Sequence, residues 1–358
     1  MTSSSKWLAT TACLLSSALF AAAPVNPFNQ PQENPTPANP SEQWGGEAPY
    51  RVSWDHGFFI EGQALVWKSH INGNYTHKFH TVTDSDGEDE IHLKKKYPHA
   101  EWDWGFRLGA GYTMPHDDWE VSLEWTRIYT ELKDREHENR TDRGLIPFNP
   151  NPFRPGAFAT HAKTKVHIHL NYLDLMLKRE FLTTKWLSVQ PGIGLRTDWI
   201  SSHFRANFTG GNISDQQPDD SSQVHAKFKN NFWGIGPKAE LNTRWILGKG
   251  FSILGDLGFS YVYGFFQLEQ FDSKPLVPPF LEFEDHASFR QTMPIFDCFL
   301  GLRWDRMFDN DKYHLSFNIG WEHHVFFQGL QADIVETFDV NNSNLTYEGV
   351  TFGGRFDF

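Results

Sequence analysis

From Gly57 onward the chain alternates apolar and polar residues with a period of two. In the clearest stretch Trp102, Trp104, Phe106, Leu108, Ala110, Tyr112 and Met114 fall on one face, and Asp103, Gly105, Arg107, Gly109, Gly111 and Thr113 on the other. Trp119, Val121, Leu123 and Trp125 alternate in the same way with Glu120, Ser122, Glu124 and Thr126. A helix would gather neither set on one side, whereas a strand points successive side chains to opposite faces. The pattern predicts about ten strands, near 57–68, 102–114, 118–130, 164–180, 186–200, 225–247, 251–266, 290–306, 312–327 and 345–358. In the fourth, Val166, Ile168 and Leu170 are even-numbered but Leu173, Leu175 and Leu177 are odd. A β-bulge near Tyr172 would restore the phase.

The connections carry the topology. Four are tight: Pro115 to Asp117, Phe181 to Lys185, Gly248 to Gly250 and Met307 to Asp311. They alternate with long polar segments near 69–101, 131–163, 201–224, 267–289 and 328–344. Short turns at one end and long loops at the other predict an all-β fold: one antiparallel transmembrane β-barrel, its turns periplasmic and its loops extracellular. Twelve strands are the alternative, because Asn74 to Val82 and Phe280 to Phe289 could form loop hairpins or an added pair. With ten strands both ends of the barrel fall on the short-turn side.

Composition fits this picture. No segment offers the ~18 apolar residues of a spanning helix, and mean hydropathy is negative. A barrel meets lipid with only every second residue, so a low mean is expected of it. The net charge of −12 argues against nucleic acid as a partner. Residues 1–23, with Lys6, an apolar stretch from Trp7 to Phe20 and Ala21-Ala22-Ala23, read as an export signal. Residues 24–56, rich in Pro and Asn, read as a flexible periplasmic leader, leaving 57–358 for the barrel. Cleavage after Ala23 would leave Cys298 as the one cysteine, a small apolar strand residue without a disulfide partner.

The polar face places Glu61, Asp103, Arg107, Glu120, Glu124, Arg196, Asp198, Lys238, Glu240, Arg244, Asp256, Asp297, Arg303 and Arg355 in the lumen. Two arrangements suit such charges: a narrow aqueous path or a salt-bridged plug. Roughly eight strands give a filled interior and sixteen to eighteen a channel, so ten does not decide between them. On the apolar face, Trp119, Trp245, Phe251, Trp304 and Tyr313 near the short turns, and Trp102, Trp199, Tyr261 and Tyr263 toward the loops, are placed for two aromatic girdles. The last strand alternates up to Phe356 and Phe358, resembling the signal read by the barrel assembly machinery.

Several stretches resemble the Legionella major outer membrane protein family, which also occurs in environmental chlamydiae. They are Trp102 to Trp119 with its Gly111-Tyr112 and Pro115-His116-Asp117-Asp118-Trp119, then Leu170 to Leu175, Pro191 to Arg196 and Phe232 to Pro237. The resemblance implies a surface-exposed, porin-like barrel passing small hydrophilic solutes, with no catalytic motif to carry over. So little Cys departs from the cysteine-rich chlamydial porins and makes disulfide-linked envelope assemblies doubtful here. A modest acidic excess along the lumen would favour cations.

Other chemistries are weaker. Asp84-Ser-Asp-Gly-Glu-Asp-Glu90 departs from EF-hand spacing and reads as a solvated acidic loop. His167 and His169, with His225 and His324, could gather at the loop-side mouth, as a polar lining rather than a metal site. Asp84, Asp86, Asp285 and His286 are the candidates for a rim protease, and an adhesin or structural barrel with a plugged lumen is the further class. The expectation is a non-enzymatic barrel without metal or cofactor. Its expected partners are outer-membrane lipid and lipopolysaccharide, the assembly machinery, small hydrophilic solutes and, compatibly, further copies of itself.

Overall fold

The computed structural model describes residues 57–71, 76–83, 89–96, 98–114, 119–138, 143–147, 158–211, 223–273, 282–334 and 339–358. For 76–83, 89–96, 143, 146–147, 282–283, 331–334 and 339–342 it describes the backbone alone. The export signal and leader predicted over 1–56, and the acidic loop residues Asp84 and Asp86, lie outside these residues.

Among the described residues, fifteen strands follow in order. They are β1 (Gly57–Ile71), β2 (Thr76–Thr83), β3 (Asp89–Lys96), β4 (His99–Ala100), β5 (Asp103–Thr113), β6 (Trp119–His137), β7 (Arg143–Pro147) and β8 (His161–Arg179). Then come β9 (Phe181–Thr184), β10 (Leu187–Thr209), β11 (Gln223–Gly248), β12 (Phe251–Ser273), β13 (Glu282–Phe308), β14 (Tyr313–Ile334) and β15 (Asp339–Asp357). Ten of them close a barrel in the order β11-β12-β13-β14-β15-β1-β5-β6-β8-β10, and β10 pairs back onto β11. All pairings are antiparallel. β4 and β9 are short additions at the edges, and β3-β2-β7 form a separate three-stranded sheet. The described part of Asn74 to Val82, from Thr76, therefore contributes to a loop hairpin, and that of Phe280 to Phe289, from Glu282, extends β13; neither adds a pair to the barrel.

The strands are longer than the alternation predicts, nearly always at the long-loop end. β10 continues to Thr209, β12 to Ser273 and β14 to Ile334, and β13 begins at Glu282. Much of what reads as polar loop is thus barrel wall. At about 3.3 Å per residue and a tilt of roughly 40°, the 27 residues of β13 rise on the order of 65–70 Å. That is more than twice the apolar band of about 25 Å that such barrels present to lipid.

β8 explains why the pattern broke. It stays in register with both neighbours, residue for residue, through Tyr172, so no bulge exists there. Its even-numbered residues face inward along the whole strand. Toward the short turns the inward residues are Asp174, Met176 and Lys178, while Leu173, Leu175 and Leu177 face out. Toward the long loops the inward residues are Val166, Ile168 and Leu170, while Lys163, Lys165, His167 and His169 face out. The apolar face changes sides although the strand does not. The same switch recurs on β10, where Ile193, Leu195 and Trp199 point out but Ile200, Phe204, Ala206 and Phe208 point in.

The barrel therefore has two halves. The short-turn half is apolar outside and charged inside, as lipid contact demands. The long-loop half has the polarity of a water-soluble protein, with an apolar core to which nine of the ten barrel strands contribute. Leu65 and Trp67 (β1), Ile128 and Leu132 (β6), Val262 and Phe266 (β12), Met293 and Ile295 (β13), Phe326 (β14), and Leu345 and Tyr347 (β15) are among its buried members. Leu145 of β7, bridged to Ala159, packs into the same cluster.

Tight positions are filled accordingly. Gly111 faces the barrel interior under the Phe59 ring, and a Cβ there would collide with that ring and with the Val121 carbonyl. The β11–β12 turn takes positive φ at Gly248, Lys249 and Gly250, and the β13–β14 turn at Asp309, Asn310 and Asp311; all but Lys249 are residue types that tolerate it best.

Candidate functional site: a charged chamber inside the barrel

The short-turn half encloses a chamber of about 280 Å³. Of the lumen residues expected from the alternation, Glu61, Arg107, Glu120, Glu124, Arg196, Lys238, Glu240, Arg244, Asp256, Asp297, Arg303 and Arg355 line it. Two do not. Asp103, at the start of β5, accepts a hydrogen bond from the Glu131 backbone N–H at 2.9 Å, satisfying a donor beside the strand end. Asp198 lies fully buried toward the apolar core, and neither carboxylate oxygen has a hydrogen-bond partner among the described residues.

The chamber charges are tied together in one continuous chain. Arg107 donates both terminal nitrogens to Glu322 at 3.0 and 2.9 Å. His324 joins Glu322 (Nε2, 2.8 Å) to Asp297 (Nδ1, 2.7 Å). Arg196 donates to Asp297 at 2.7 Å and grips Asp174 with two bonds of 2.7 and 2.9 Å. Lys238 adds a 2.7 Å bond to Asp174 and lies 3.4 Å from Glu240. Lys178 closes the run between Glu240 at 2.8 Å and Glu124 at 3.3 Å. Bidentate arginine pairs of this kind are the strong ones. Burial of their charges is tolerable because nearly every one has a partner.

A second group lies nearer the short turns. Arg355 bonds Glu120 at 3.0 Å and Asp357 at 2.8 Å. His314 sits between Asp357 (2.6 Å) and Asp305 (2.9 Å), and Arg303 bonds Asp305 at 2.8 Å. Arg244 reaches Glu180 at 3.2 Å, and Ser188 donates to the same carboxylate. Glu61 and Asp256 face the chamber with no ion pair among the described residues.

Above the chamber, aromatic rings mark the change to the apolar core. The Arg196 guanidinium lies 4.2 Å from the Tyr172 ring centre, and the Arg107 guanidinium 5.8 Å from that of Trp67. The Trp67 ring centre is 4.6 Å from that of His324, and its indole N–H donates to Thr351 at 3.1 Å.

Asp174, Lys178, Glu180, Asp305, His314, Glu322, His324 and Asp357 were not among the lumen residues expected from sequence. Asp174 and Lys178 stand on the strand with the broken phase. Glu322 and His324 sit beside the switch on β14, where Phe326 inside and Trp321 outside blur the period. The expected histidine cluster does not form. His167 and His169 point outward, His225 is exposed and bonds Asn207, and His324 alone enters the interior. Among the described residues no group of metal-ligating side chains is brought together.

The aromatics Trp102, Trp119, Trp199, Trp245, Phe251, Tyr261, Tyr263, Trp304 and Tyr313 all stand on the outer face. Phe251 is paired with Trp304 in the ladder, and Trp304 stacks on Phe317 toward the short turns. Trp102 meets Trp321 edge-on, and Trp199 pairs with Trp233, toward the long loops. Phe358 and Phe58 exchange backbone hydrogen bonds of 3.1 and 2.8 Å, and Phe356 stacks on Tyr313.

Comparison with solved structures finds other barrels at low similarity. The outer membrane protease OmpT of Escherichia coli matches at 10% identity, covering 86% of this chain and 98% of that one, with a TM-score of 0.37. Ail, the attachment invasion locus protein of Yersinia pestis, matches at 9%, covering 85% and 100%, with a TM-score of 0.21. A Pseudomonas aeruginosa FadL homologue matches at 6%, covering 85% and 90%, with a TM-score of 0.24. Similarity of this order says nothing about what the present chain does. No match was found among curated proteins. The family model described as Legionella pneumophila major outer membrane protein precursor, by contrast, matches residues 51–358, all of the barrel. With a closed ten-stranded barrel over the same residues, the chain belongs to this outer-membrane protein family.

Proposed function

We propose that this outer-membrane barrel is a closed scaffold that presents its long-loop half at the cell surface. The observation that carries the reading is the apolar core across that half, in which Leu65, Trp67, Val166, Ile168, Val262, Ile295 and Phe326 have no exposed surface. A hydrated solute crossing it would lose its water without gaining polar partners, at a cost of several kcal/mol for each polar group. The chamber below is braced by its own ion pairs, which favours a plug over a path. Interaction then falls to the projecting strands and loops, since a rigid scaffold commonly carries binding at such sites. The Phe356–Phe358 end of β15, zipped onto β1, is the segment this reading assigns to the assembly machinery.

The test is planar-bilayer recording of the refolded barrel beside a control porin. The expected result is no sustained conductance. A stable ohmic current from the wild-type protein would sink the proposal and support the second reading, passive passage of small hydrophilic solutes. That reading is favoured by the polar chamber of about 280 Å³ and by Glu61 and Asp256 facing it. A reversal potential favouring cations would be its signature. An enzymatic barrel has less support. Asp285 and His286 are successive residues of β13, so their side chains leave opposite faces, and His286 lies against Glu284 at 3.2 Å.

A further inference from the structure

We propose that the outer surface of β6, β8, β10 and β11, with the flanking β12 and β13, is a binding site for the phosphorylated inner sugars of lipopolysaccharide. The observation is a ladder of chemically sorted rows on one wall. In the first row the register places Arg127 beside Asn171, then Trp199, Trp233, Phe265 and Arg290. Trp233 and Phe265 are stacked at 6.1 Å, and the Arg290 guanidinium lies 4.6 Å from the Phe265 ring centre. The next row toward the long loops holds His169, Ser201, Asn231, Gln267 and Ser288. All of these residues except Arg127 line a concavity in the wall. Two rows further on, Lys133, Lys165, Arg205 and Lys227 stand side by side, with Arg135 and Lys163 in the row beyond.

This order matches one ligand. Acyl chains lie against the outward leucines and isoleucines below the first row. Sugar rings stack on Trp199, Trp233 and Phe265, as saccharide faces do on aromatic rings, and meet hydroxyl, amide and imidazole groups in the second row. Anionic groups on the sugars reach the basic row. The six positions from Trp199 to Arg205 put that row roughly 15 Å above the aromatics along a tilted strand, and its four strands span about 14 Å at ~4.8 Å spacing. The chain as a whole carries −12, so a basic face is not a by-product of composition. Glu131 takes up part of this charge, bonding Lys133 at 2.5 Å and also Lys165. Lys229 is held by Glu269 at 2.6 Å. Arg205 and Lys227 are exposed beside them. Continuity with the lipid-facing aromatics favours a glycolipid of the same leaflet over a soluble polyanion.

The site rests on the reading that the long-loop half faces outward, but its test does not depend on conductance. The full barrel is purified in detergent with rough-form lipopolysaccharide, washed, and the retained lipopolysaccharide quantified per chain by native mass spectrometry. The probes are the intact molecule, its dephosphorylated form, phosphatidylglycerol and heparin. The triple variant Lys165→Gln/Arg205→Gln/Lys227→Gln should bind roughly 100-fold more weakly, while keeping the heat-modifiable mobility of a folded barrel. Dephosphorylated lipopolysaccharide should bind wild-type protein about as weakly as the triple variant binds the intact form. Trp199→Ala/Trp233→Ala should weaken binding of both forms. Equal retention by wild type and the triple variant overturns the proposal. So does equal competition by phosphatidylglycerol, or heparin binding at these residues with lipopolysaccharide unaffected. Surface labelling of intact cells, described below, tests the orientation separately.

Discussion

Arg196 is 1% exposed and touches three groups: two carboxylates and the face of a tyrosine. A buried cation is tolerable only with that many partners, and removing it leaves Asp174 held by Lys238 and Asp297 held by His324, each carboxylate short of its arginine bonds. Arg196→Met is expected to cost about 3–5 kcal/mol of folding stability, the usual result of breaking one side of a buried pair. Urea unfolding in lipid vesicles measures this, and a loss under 1 kcal/mol would mean that water reaches the network. Arg196→Lys should recover only part, because a point charge cannot grip Asp174 with two parallel bonds while reaching Asp297. Arg196 itself was legible from strand phase. Its partners were not: Asp174 stands on the strand that seemed out of phase, and Asp297, though expected in the lumen, had no assigned mate.

β8 shows how an element can mislead. Its apolar positions change parity at Tyr172, and a bulge is the cheapest local repair of a broken period. The strand instead stays regular while its surroundings change from lipid outside to water outside. Ile168 and Leu173 therefore face opposite sides. Ile168→Asp places a carboxylate in the apolar core and should cost roughly 3–5 kcal/mol, comparable to leaving a buried charge unpaired. Hydrogen exchange should accelerate in the long-loop half first. Lys163→Asp, five residues away on the wet outer face, should leave stability within about 0.5 kcal/mol. If the two variants behave alike, the inversion is wrong and the bulge returns.

At the scale of the whole molecule, a barrel wall over twice the height of the apolar band must project from one side of the membrane. The outward lysines of the long-loop half and those of the short turns make the orientation testable. A membrane-impermeant amine reagent added to intact cells should modify Lys163 and Lys229 and spare Lys185 and Lys249. Peptide mass spectrometry reads the outcome, and labelling confined to Lys185 and Lys249 would invert the proposed topology. Projection also bears on function. The half outside lipid is stabilised by its own apolar core, as a soluble domain is, and on the function proposed above that core also stops the lumen.

The period of two, the alternation of tight turns with long connections and the resemblance over 57–358 were properties of the sequence alone. They determined an antiparallel barrel of ten strands, the face to which most charges belong and the family. They sufficed because side-chain alternation is a local consequence of strand geometry and turn length is counted directly. The tertiary structure decided the rest. Where the lipid-facing band ends, which half is filled by apolar residues, which carboxylate each arginine holds, and how separate strands align Trp199, Trp233 and Phe265 beneath a basic row all depend on register between segments far apart in sequence. No local pattern encodes that register. It follows from closing the sheet, with β1 zipped to β15 and β10 to β11, so that one set of inward side chains fills one interior.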